Sequence, residues 1–331
     1  MEIAQGIYQI KVSMSNSPLA NLNCYLIEGS EGWTMIDTGF FIKESFESLK
    51  AGLNDLKIDF TDIAAILVTH IHPDHFGLAG RIKQLSPKSR LLMHRWEADL
   101  IESRYLKFFD LQVKIGSMLE QHGVPPFDVS IFKFASMPAL EYVGITFPDQ
   151  TLFGGEIIST GFHNLEIIWT PGHTIGHICI YEQKNKLLFS GDHILPIITP
   201  NISYHVESGD NPLGDYLYSL QKIENLAVST VLPAHEHIFE NFTGRINEIK
   251  EHHRKRKSEI TQILEKYGAS NAYDISGLLT WNIPDSDWEK LPAWEKRSAV
   301  MEAIAHLESM RWEKVVKRML KDGLIFYSLE N

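Results

Sequence analysis

Short apolar segments rich in β-branched residues recur along the chain, and most of them end at a polar or glycine-containing turn. Ile3 to Val12 and Asn23 to Ile27 are predicted to be two strands of a hairpin. The other predicted strands are Trp33 to Asp37, Ala64 to Thr69, Arg90 to His94, Leu165 to Trp169, Leu187 to Asp192 and Val231 to Ala234. Helical spacing of apolar positions predicts a helix from Lys43 to Leu53 and a longer helical region from Trp96 to His122.

The last part of the chain has a different pattern. Predicted helices cover Ile246 to Tyr267, Ala272 to Leu279 and Ala293 to Met310. Two short apolar segments then flank Asp322 and Gly323, a dipeptide that strongly favours a tight hairpin. Three helices and a terminal hairpin resemble a winged-helix domain, so we predict a small α+β domain at residues 246–331 behind a larger domain at residues 1–245. The charged run from Glu251 to Glu259 is expected to be a solvated helix face.

Composition is that of an ordinary globular protein, with 44% hydrophobic and 22% charged residues. No apolar stretch approaches the length of a membrane span and no secretory signal begins the chain, so we expect a cytoplasmic protein without membrane contact. Cys24 and Cys179 lie in apolar segments, which predicts buried free thiols. The net charge is −11, and residues 246–331 hold 14 basic and 14 acidic residues, so the first 245 residues carry all of it. That acidity disfavours general nucleic-acid binding by the larger domain.

The densest group of metal-binding residue types directly follows the strand predicted at 64–69. It reads His70-Ile71-His72-Pro73-Asp74-His75. His70 and His72 are two positions apart and can face one ion, whereas Asp74 and His75 are adjacent and must point partly elsewhere, which suggests two ions. Zinc, iron and manganese accept imidazole together with carboxylate, whereas calcium and magnesium prefer oxygen. We therefore expect two divalent ions, zinc first, with iron or manganese as alternatives.

This motif and the segments downstream of it resemble the metallo-β-lactamase superfamily. The resemblance extends to about Arg245, and it implies an α/β fold, the four-layer αβ/βα sandwich, with a two-metal hydrolytic site at one edge of the sheets. It also implies that His173, in Thr170-Pro171-Gly172-His173, completes the three-histidine set that His70 and His72 begin.

The second ion has its own predicted ligands. Asp192 resembles the aspartate that bridges the two ions in the superfamily, because its carboxylate has one oxygen for each. His235 follows an apolar strand in the same way as the other candidates, and it is predicted to join Asp74 and His75. Asp74 and Asp192 are the predicted catalytic carboxylates.

Three further residues are weaker candidates near the site. Asp37 either supports a ligand histidine by a hydrogen bond, as the resemblance implies, or caps the following helix. His177 is expected to be a hydrogen-bonding histidine rather than a ligand. Lactonases of the superfamily place a tyrosine three residues after the bridging aspartate, where this chain has Leu195, so Tyr204 is a substitute candidate for the pocket.

A helical insert is predicted at about residues 95–150, and it carries more apolar side chains than one narrow stripe can hold. Together with Phe127, Phe132 and Phe134 these side chains have two interpretations. They form a roof over the metal site and an apolar substrate pocket, or they pack the insert onto the sheets.

The resemblance implies hydrolysis by a hydroxide that bridges the two ions, because coordination lowers the pKa of water from about 15.7 to near 7. The first hypothesis is an ester or thioester hydrolase similar to hydroxyacylglutathione hydrolase, acting on a small molecule. True metallo-β-lactamases of the commonest subclass carry a cysteine ligand where this chain has Asp192, and flavodiiron oxidoreductases carry a glutamate where it has His72, which argues against both activities. The alternatives are a phosphodiesterase or ribonuclease aided by the C-terminal domain, and a non-enzymatic interaction module with structural metals.

The C-terminal domain leaves its own alternatives open. Its position behind such a catalytic domain resembles the subgroup that includes lactamase-β-like protein 2. Winged helices often bind nucleic acid, but this one is electrically neutral, which disfavours that role without removing it. Packing on the catalytic domain and formation of a homodimer are the other interpretations.

Overall fold

The computed structural model describes residues 1–15, 19–133, 135, 140–281 and 288–330. Within this part of the chain the first sheet contains, in spatial order, β1 (Glu2–Ala4), β2 (Ile7–Ser13), β3 (Asn21–Ile27), β4 (Trp33–Ile36), β5 (Ile63–Val68), β6 (Arg90–His94) and β7 (Gln150–Leu152). Strands β1 to β4 pair antiparallel, and β4 to β7 pair parallel. The predicted hairpin is therefore present as β2 and β3.

A second sheet faces the first. It contains β8 (Ile157–Ser159), β9 (Asn164–Trp169), β10 (Ile178–Glu182), β11 (Leu187–Gly191) and β12 (Thr230–Pro233) in the spatial order β12-β11-β10-β9-β8. Only β11 and β12 pair parallel within this sheet. Parallel pairing makes both of these strands end at the same edge, which is where Asp192 and His235 follow them.

The helices lie outside the sheets, in the helical insert or in the C-terminal domain. They are α1 (Lys43–Asp55), α2 (Pro73–Phe76), α3 (Ala79–Leu85), α4 (Arg95–Ile101), α5 (Phe108–Gln121), α6 (Pro126–Phe132), α7 (Pro212–Ile223), α8 (Phe242–Tyr267), α9 (Ala272–Leu278) and α10 (Ala293–Trp312). A π-helical turn, Glu102–Leu106, joins α4 to α5. A terminal hairpin of β13 (Val316–Lys321) and β14 (Leu324–Leu329) ends the described chain.

Three hydrophobic clusters lie between four layers of helices and sheets. Leu49 and Leu53 of α1 pack with side chains of the first sheet. Ile27 and Phe189 belong to the cluster between the two sheets. Leu220 of α7 belongs to the cluster that covers the second sheet. The predicted four-layer αβ/βα sandwich is confirmed. Each fully buried leucine or isoleucine in these layers contributes about 1.5–3 kcal/mol by removing apolar surface from water.

Both cysteines are free and buried, as predicted. Among the described residues, no helix combines the length and the apolar character that crossing a lipid bilayer requires.

The helical insert packs against the C-terminal helices. Side chains of α5 and α6 share one hydrophobic cluster with side chains of the second half of α8, of α9, of α10 and of the terminal hairpin. Phe132 is buried in this cluster, Phe127 is exposed, and Phe134 lies outside the described residues. The interpretation that the insert packs onto the sheets is therefore wrong for α5 and α6. The small C-terminal domain, with helices and a two-stranded sheet, is confirmed in its fold class.

One long helix runs through both parts of the molecule. Phe242 and Ile246, at the start of α8, pack with the cluster on the second sheet, whereas Ile260 and Leu264 belong to the cluster shared with the insert. The predicted boundary between residues 245 and 246 lies inside the first turns of this helix.

The charged run of α8 is not simply a solvated face. His253 and Arg256 are buried, and the guanidinium of Arg256 lies 4.4 Å from the ring centre of Trp281 and donates to the carbonyl of Thr280 at 2.7 Å. Arg254 is exposed but pairs with Glu251 at 2.6 Å. The expectation failed because the long stem of arginine packs like an apolar side chain while its head finds acceptors.

A buried carboxylate joins two turns that carry candidate ligands. Glu97 of α4 is fully buried. Its two oxygens accept hydrogen bonds from the backbone amides of Ile71 at 2.8 Å and Gly176 at 2.6 Å. A Cβ atom at Gly176 would lie 2.8 Å from the Glu97 side chain, so this position has no room for a larger residue. Tyr105 donates to the carbonyl of Ile71 from the other side.

Replacing this carboxylate by an amide tests its contribution. Glu97→Gln exchanges one accepting oxygen for an NH₂ group, which leaves one buried backbone amide without an acceptor, at a cost of about 1–3 kcal/mol. We expect the free energy of unfolding of the metal-free protein, measured by urea denaturation, to fall by about this amount. Glu120→Gln, an exposed position on α5, is the matched control and should change it by less than about 0.5 kcal/mol. Equal stability of the two variants would contradict a structural role for Glu97.

Candidate metal centre

All seven side chains predicted as ligands meet at one edge of the sandwich, because each follows the end of a strand. They form two groups, and the ligand atoms within each group lie within 4.8 Å of one another. The first group consists of His70, His72, His173 and Asp192, and the second of Asp74, His75 and His235. These two groups have the composition and spacing of sites for divalent metal ions.

Three imidazole nitrogens of the first group surround one point. The Nε2 atom of His70 lies 2.9 Å from Nδ1 of His72, and Nε2 of His173 lies 3.2 Å and 3.1 Å from these two atoms. Zinc–nitrogen bonds of about 2.0–2.1 Å in a tetrahedral site place ligand nitrogens roughly 3.3 Å apart. The spacing of the three nitrogens therefore fits a small divalent ion.

Asp192 lies between the two groups. Its Oδ2 atom is 3.5 Å from Nε2 of His173 and 3.9 Å from Nε2 of His70. Its Oδ1 atom is 3.5 Å from Nε2 of His75 and 3.4 Å from Nε2 of His235. Each carboxylate oxygen thus faces one group.

Three buried polar atoms in or facing the second group lack a hydrogen-bond partner. They are Nε2 of His75 and Nε2 of His235, which belong to the group, and Oδ1 of Asp192, which faces it. The Oδ2 atom of Asp74 lies 3.3 Å from Nε2 of His235 and 3.7 Å from that of His75. Buried polar groups in proteins are nearly always satisfied, and a cation at this point would satisfy these atoms together.

Backbone carbonyls orient two of the histidines. Nδ1 of His173 lies 2.9 Å from the carbonyl oxygen of Asn201, and Nδ1 of His235 lies 3.1 Å from that of Asn21. When Nδ1–H donates to these carbonyls, the lone pair of Nε2 points into the centre, which is the arrangement that metal-binding histidines commonly use.

Asp37 holds a third histidine. Its Oδ2 atom is 2.8 Å from Nδ1 of His75 and accepts from the hydroxyl of Thr69 at 2.8 Å, while Oδ1 accepts from the amide of Thr69 at 2.8 Å. The N-cap of α1 is Ile42, so Asp37 does not cap that helix. Asp37 also adopts a backbone φ of 56°, a conformation that non-glycine residues adopt rarely.

His177 uses both ring nitrogens in hydrogen bonds. Nδ1 is 2.9 Å from the hydroxyl of Thr170, and Nε2 accepts from the backbone amide of Asp192 at 3.1 Å. Gly191 allows this approach, since its φ is 51° and a Cβ atom there would lie 2.6 Å from Nε2 of His177. His177 therefore positions the backbone of Asp192 and is not part of either group.

Tyr204 lies away from the groups. Its side chain packs against the hydrophobic cluster of the C-terminal domain and that of the second sheet, and its ring centre is 6.4 Å from that of His122. The structure does not bring Tyr204 into the cavity described below, although its neighbours Ser203 and His205 line that cavity.

Burial and charge act on the histidines in opposite directions. Burial, helped by neighbouring histidines, holds the pKa of His70 and His72 well below the usual value. Burial also lowers the pKa of His75 and His235, but nearby carboxylates outweigh it. Asp37, followed by Asp74 and Asp192, raises the pKa of His75, and Asp192 and Asp74 raise that of His235. The lowered pKa values of His70 and His72 favour the neutral imidazole, the form that binds a metal.

The two carboxylates of the site are held ionised. Burial raises the pKa of each, but His75 and His235 outweigh burial, so the pKa of Asp74 falls to about 2 and that of Asp192 falls well below its usual range. In the metal-free protein, protonated imidazoles balance these charges, and a divalent cation would take over that role.

A cavity of about 400 Å³ opens beside the first group. His72 and His173 line one end, the insert contributes Arg104 and Phe108, and α10 contributes Arg297. Sequence reasoning missed both arginines, as it missed Glu97, because a single charged residue in a helical segment carries no local signal of its partner. The insert thus lies beside the metal site and lines this cavity, as one of the two interpretations predicts, but neither Phe127 nor Phe132 is among the lining residues.

Comparisons with known proteins agree with this site. The family model of the metallo-beta-lactamase superfamily matches residues 19–235. A beta-lactamase-like protein 2 homolog of Caenorhabditis elegans is 24% identical over 308 residues, which cover 93% of this chain and 81% of the relative. The human acyl-coenzyme A thioesterase MBLAC2 is 26% identical over 247 residues, covering 72% of this chain and 80% of the relative.

A solved structure extends the similarity to the whole fold. A metallo-beta-lactamase family protein from Thermus thermophilus has a TM-score of 0.83 at 26% identity, over 99% of this chain and 100% of that chain. The family match, the named hydrolases among the relatives and the His/Asp groups together make the chain a metal-dependent hydrolase. It belongs to the metallo-β-lactamase superfamily.

Proposed function

We propose that this chain hydrolyses ester or thioester bonds and holds two divalent ions for that purpose. His70, His72 and His173 would hold the first ion, and Asp74, His75 and His235 the second, with Asp192 between them. The observation that carries the proposal is the position of the Asp192 carboxylate, which turns one oxygen toward each group at 3.4–3.9 Å.

Zinc is the proposed metal, with iron and manganese as the alternatives that elemental analysis would reveal. Zinc binds imidazole nitrogen and carboxylate oxygen in tetrahedral sites, which suits the spacing of the first group. When bound, such ions would polarise the carbonyl of the substrate and lower the pKa of water toward neutrality.

The side chains of the site have separate proposed roles. Asp192 fixes the separation of the two groups, and Asp74, whose pKa of about 2 keeps it ionised, orients water in the second group by accepting its hydrogen bonds. Asp37 supports His75 by accepting from its Nδ1–H. The apolar wall of the cavity excludes water from the bound substrate, which strengthens every electrostatic contact there.

Carbonyl chemistry is favoured by the relatives and by the cavity. A relative that covers most of this chain is named as an acyl-coenzyme A thioesterase, and the cavity beside the first group has aromatic and aliphatic walls suited to an acyl group. We propose that residues 1–245 carry the chemistry and that residues 246–331 complete the cavity.

The alternatives have less support. A phosphodiesterase or ribonuclease needs an open basic surface, but Arg254 and Lys255 pair with Glu251 and Arg256 is buried. The interpretation as a non-enzymatic module is wrong, because the chain is a metal-dependent hydrolase by family and by relatives.

Asp37→Asn tests the support of the second group. Asparagine tolerates the positive φ of this position and keeps the side-chain shape, but it loses the charge and one acceptor for His75 and Thr69. We expect the affinity of the second group for its metal ion to fall about 10- to 100-fold, measured by competition with a chromophoric chelator. Asp110→Asn, exposed on α5, is the matched control, and equal affinities in both variants would exclude the proposed support.

Turnover of a substrate panel on metal-quantified protein tests the reaction itself. The panel contains acyl thioesters, lactones, aryl phosphodiesters and single-stranded RNA. We expect hydrolysis of carbonyl substrates, loss of activity in a chelator, recovery on addition of zinc, and a fall in kcat of at least about 100-fold in Asp192→Asn, the scale of losing one electrostatic stabiliser. Cleavage confined to phosphodiesters or RNA would overturn the proposal.

A further inference from the structure

The cavity beside the first group is lined by several hydrogen-bond donors. Arg104, in the π-helical turn, and Arg297, in α10, both line it, and Glu207 is the one carboxylate among the described lining residues. Nε of Arg104 donates to Oε2 of Glu207 at 3.1 Å. Two guanidinium groups and one carboxylate give the lining a net positive charge, in a chain that is strongly acidic as a whole.

His205 adds a further donor at the same place. Its Nδ1 atom accepts from the backbone amide of Glu207 at 3.3 Å, so the proton of the neutral ring lies on Nε2. Nη2 of Arg104 lies 3.4 Å from this Nε2 atom. Burial and the charges of Arg104 and Arg297 lower the pKa of His205 well below its usual value, which keeps the ring neutral. The N–H groups of Arg104 and His205 thus lie next to each other, and only a hydrogen-bond acceptor can satisfy both.

Arg297 has an environment that favours an anion. Its side chain is half-buried, and Nη1 donates to the carbonyl of Phe132, at the end of α6, at 3.4 Å. Burial and the positive charge of Arg104 lower its pKa to about 10. The positive charges of Arg104 and Arg297 repel each other in one cavity, so an anionic ligand shared by the two guanidinium groups would stabilise both.

Apolar side chains line the same cavity. Phe108, Ile115 and Met301 are buried lining residues, and Trp294 is a half-exposed one. His72 and His173 also line this cavity. One ligand can therefore place an apolar part against these side chains, an anionic group at the arginines and a reactive group at the candidate metal centre.

We propose that the cavity selects ester or thioester substrates that carry an anionic group, a carboxylate or a phosphate. Arg104, Arg297 and His205 bind the anionic group. This inference rests on the proposed hydrolase function and adds the substrate class to it. The anionic group is either a carboxylate of the acyl part or a phosphate of the leaving group.

Two matched pairs of thioesters separate these sources. The first pair, the glutaryl and glutaramoyl thioesters of pantetheine, differs only in having a carboxylate or a neutral amide at the end of the acyl part. The second pair, the pentanoyl thioesters of 4′-phosphopantetheine and pantetheine, differs only by a phosphate on the leaving group. We expect the anionic member of one pair to have a kcat/KM about 10- to 100-fold higher, which corresponds to one charge-assisted hydrogen bond.

Arg297→Gln should bring this ratio close to one, Arg297→Lys should keep part of it, and Arg254→Gln, an exposed arginine of α8, should keep all of it. Both members of a pair are measured on one preparation, so a loss of folded protein lowers both rates and cancels in the ratio. If Arg297→Gln does not fold, the ratio in Arg297→Lys decides.

Three other outcomes would each overturn part or all of this proposal. Equal turnover of both members in both pairs would overturn the inference and leave the proposed hydrolase function standing. A preference that Arg297→Gln leaves intact would overturn the assignment to the arginines. No turnover of any of the four thioesters, in protein of verified metal content, would overturn the thioester function together with the inference.

Discussion

The carboxylate of Asp192 must face two groups of side chains at once, and the strands around it are arranged accordingly. In the parallel pair of β11 and β12, Gly191 lies beside Pro233, so Asp192 and His235 emerge next to each other. The amide of Asp192 donates to His177, which a threonine hydroxyl holds in turn. These hydrogen bonds fix the backbone of Asp192, so its carboxylate extends from a defined position between the two groups.

In the first sheet, the parallel strands β4 and β5 also end at this edge, and their pairing again places the residues that follow them side by side. Ile36 of β4 lies beside Leu67 of β5, so the residues that follow these strands, Asp37 and Thr69, are close enough to form two hydrogen bonds. A one-residue shift in this register would turn Asp37 to the opposite face. The support of His75 by Asp37 therefore depends on the parallel pairing of two strands that are separated by a helix in the sequence.

The parts of the site that the sequence predicts are those with a local signal. All seven residues that meet at the edge follow short apolar strands, and the motif at 70–75 is dense enough to be noticed by itself. Glu97 has no such signal, because the two amides that it accepts from lie 26 and 79 positions away. Tyr204 lies in an irregular segment, without a period that would tell which side chains face the cavity. Arg256 continues the buried face of α8 at helical spacing, but a polar residue on such a face cannot be recognised until its partners are known.

The division of labour between the two parts of the chain follows from where each group is anchored. The candidate ligands are held by the sheets. Arg104 lies in a turn whose buried Tyr105 packs with the first sheet, whereas Arg297 lies on α10, whose apolar side chains share one cluster with α5, α6, α8 and α9. Because α8 and α10 also pack on the second sheet, the position of Arg297 relative to the ligands depends on these two helices. A change in the shared cluster can therefore alter which substrate fits without touching any group that holds a metal. Under the proposed function, the C-terminal domain therefore acts on specificity through this packing.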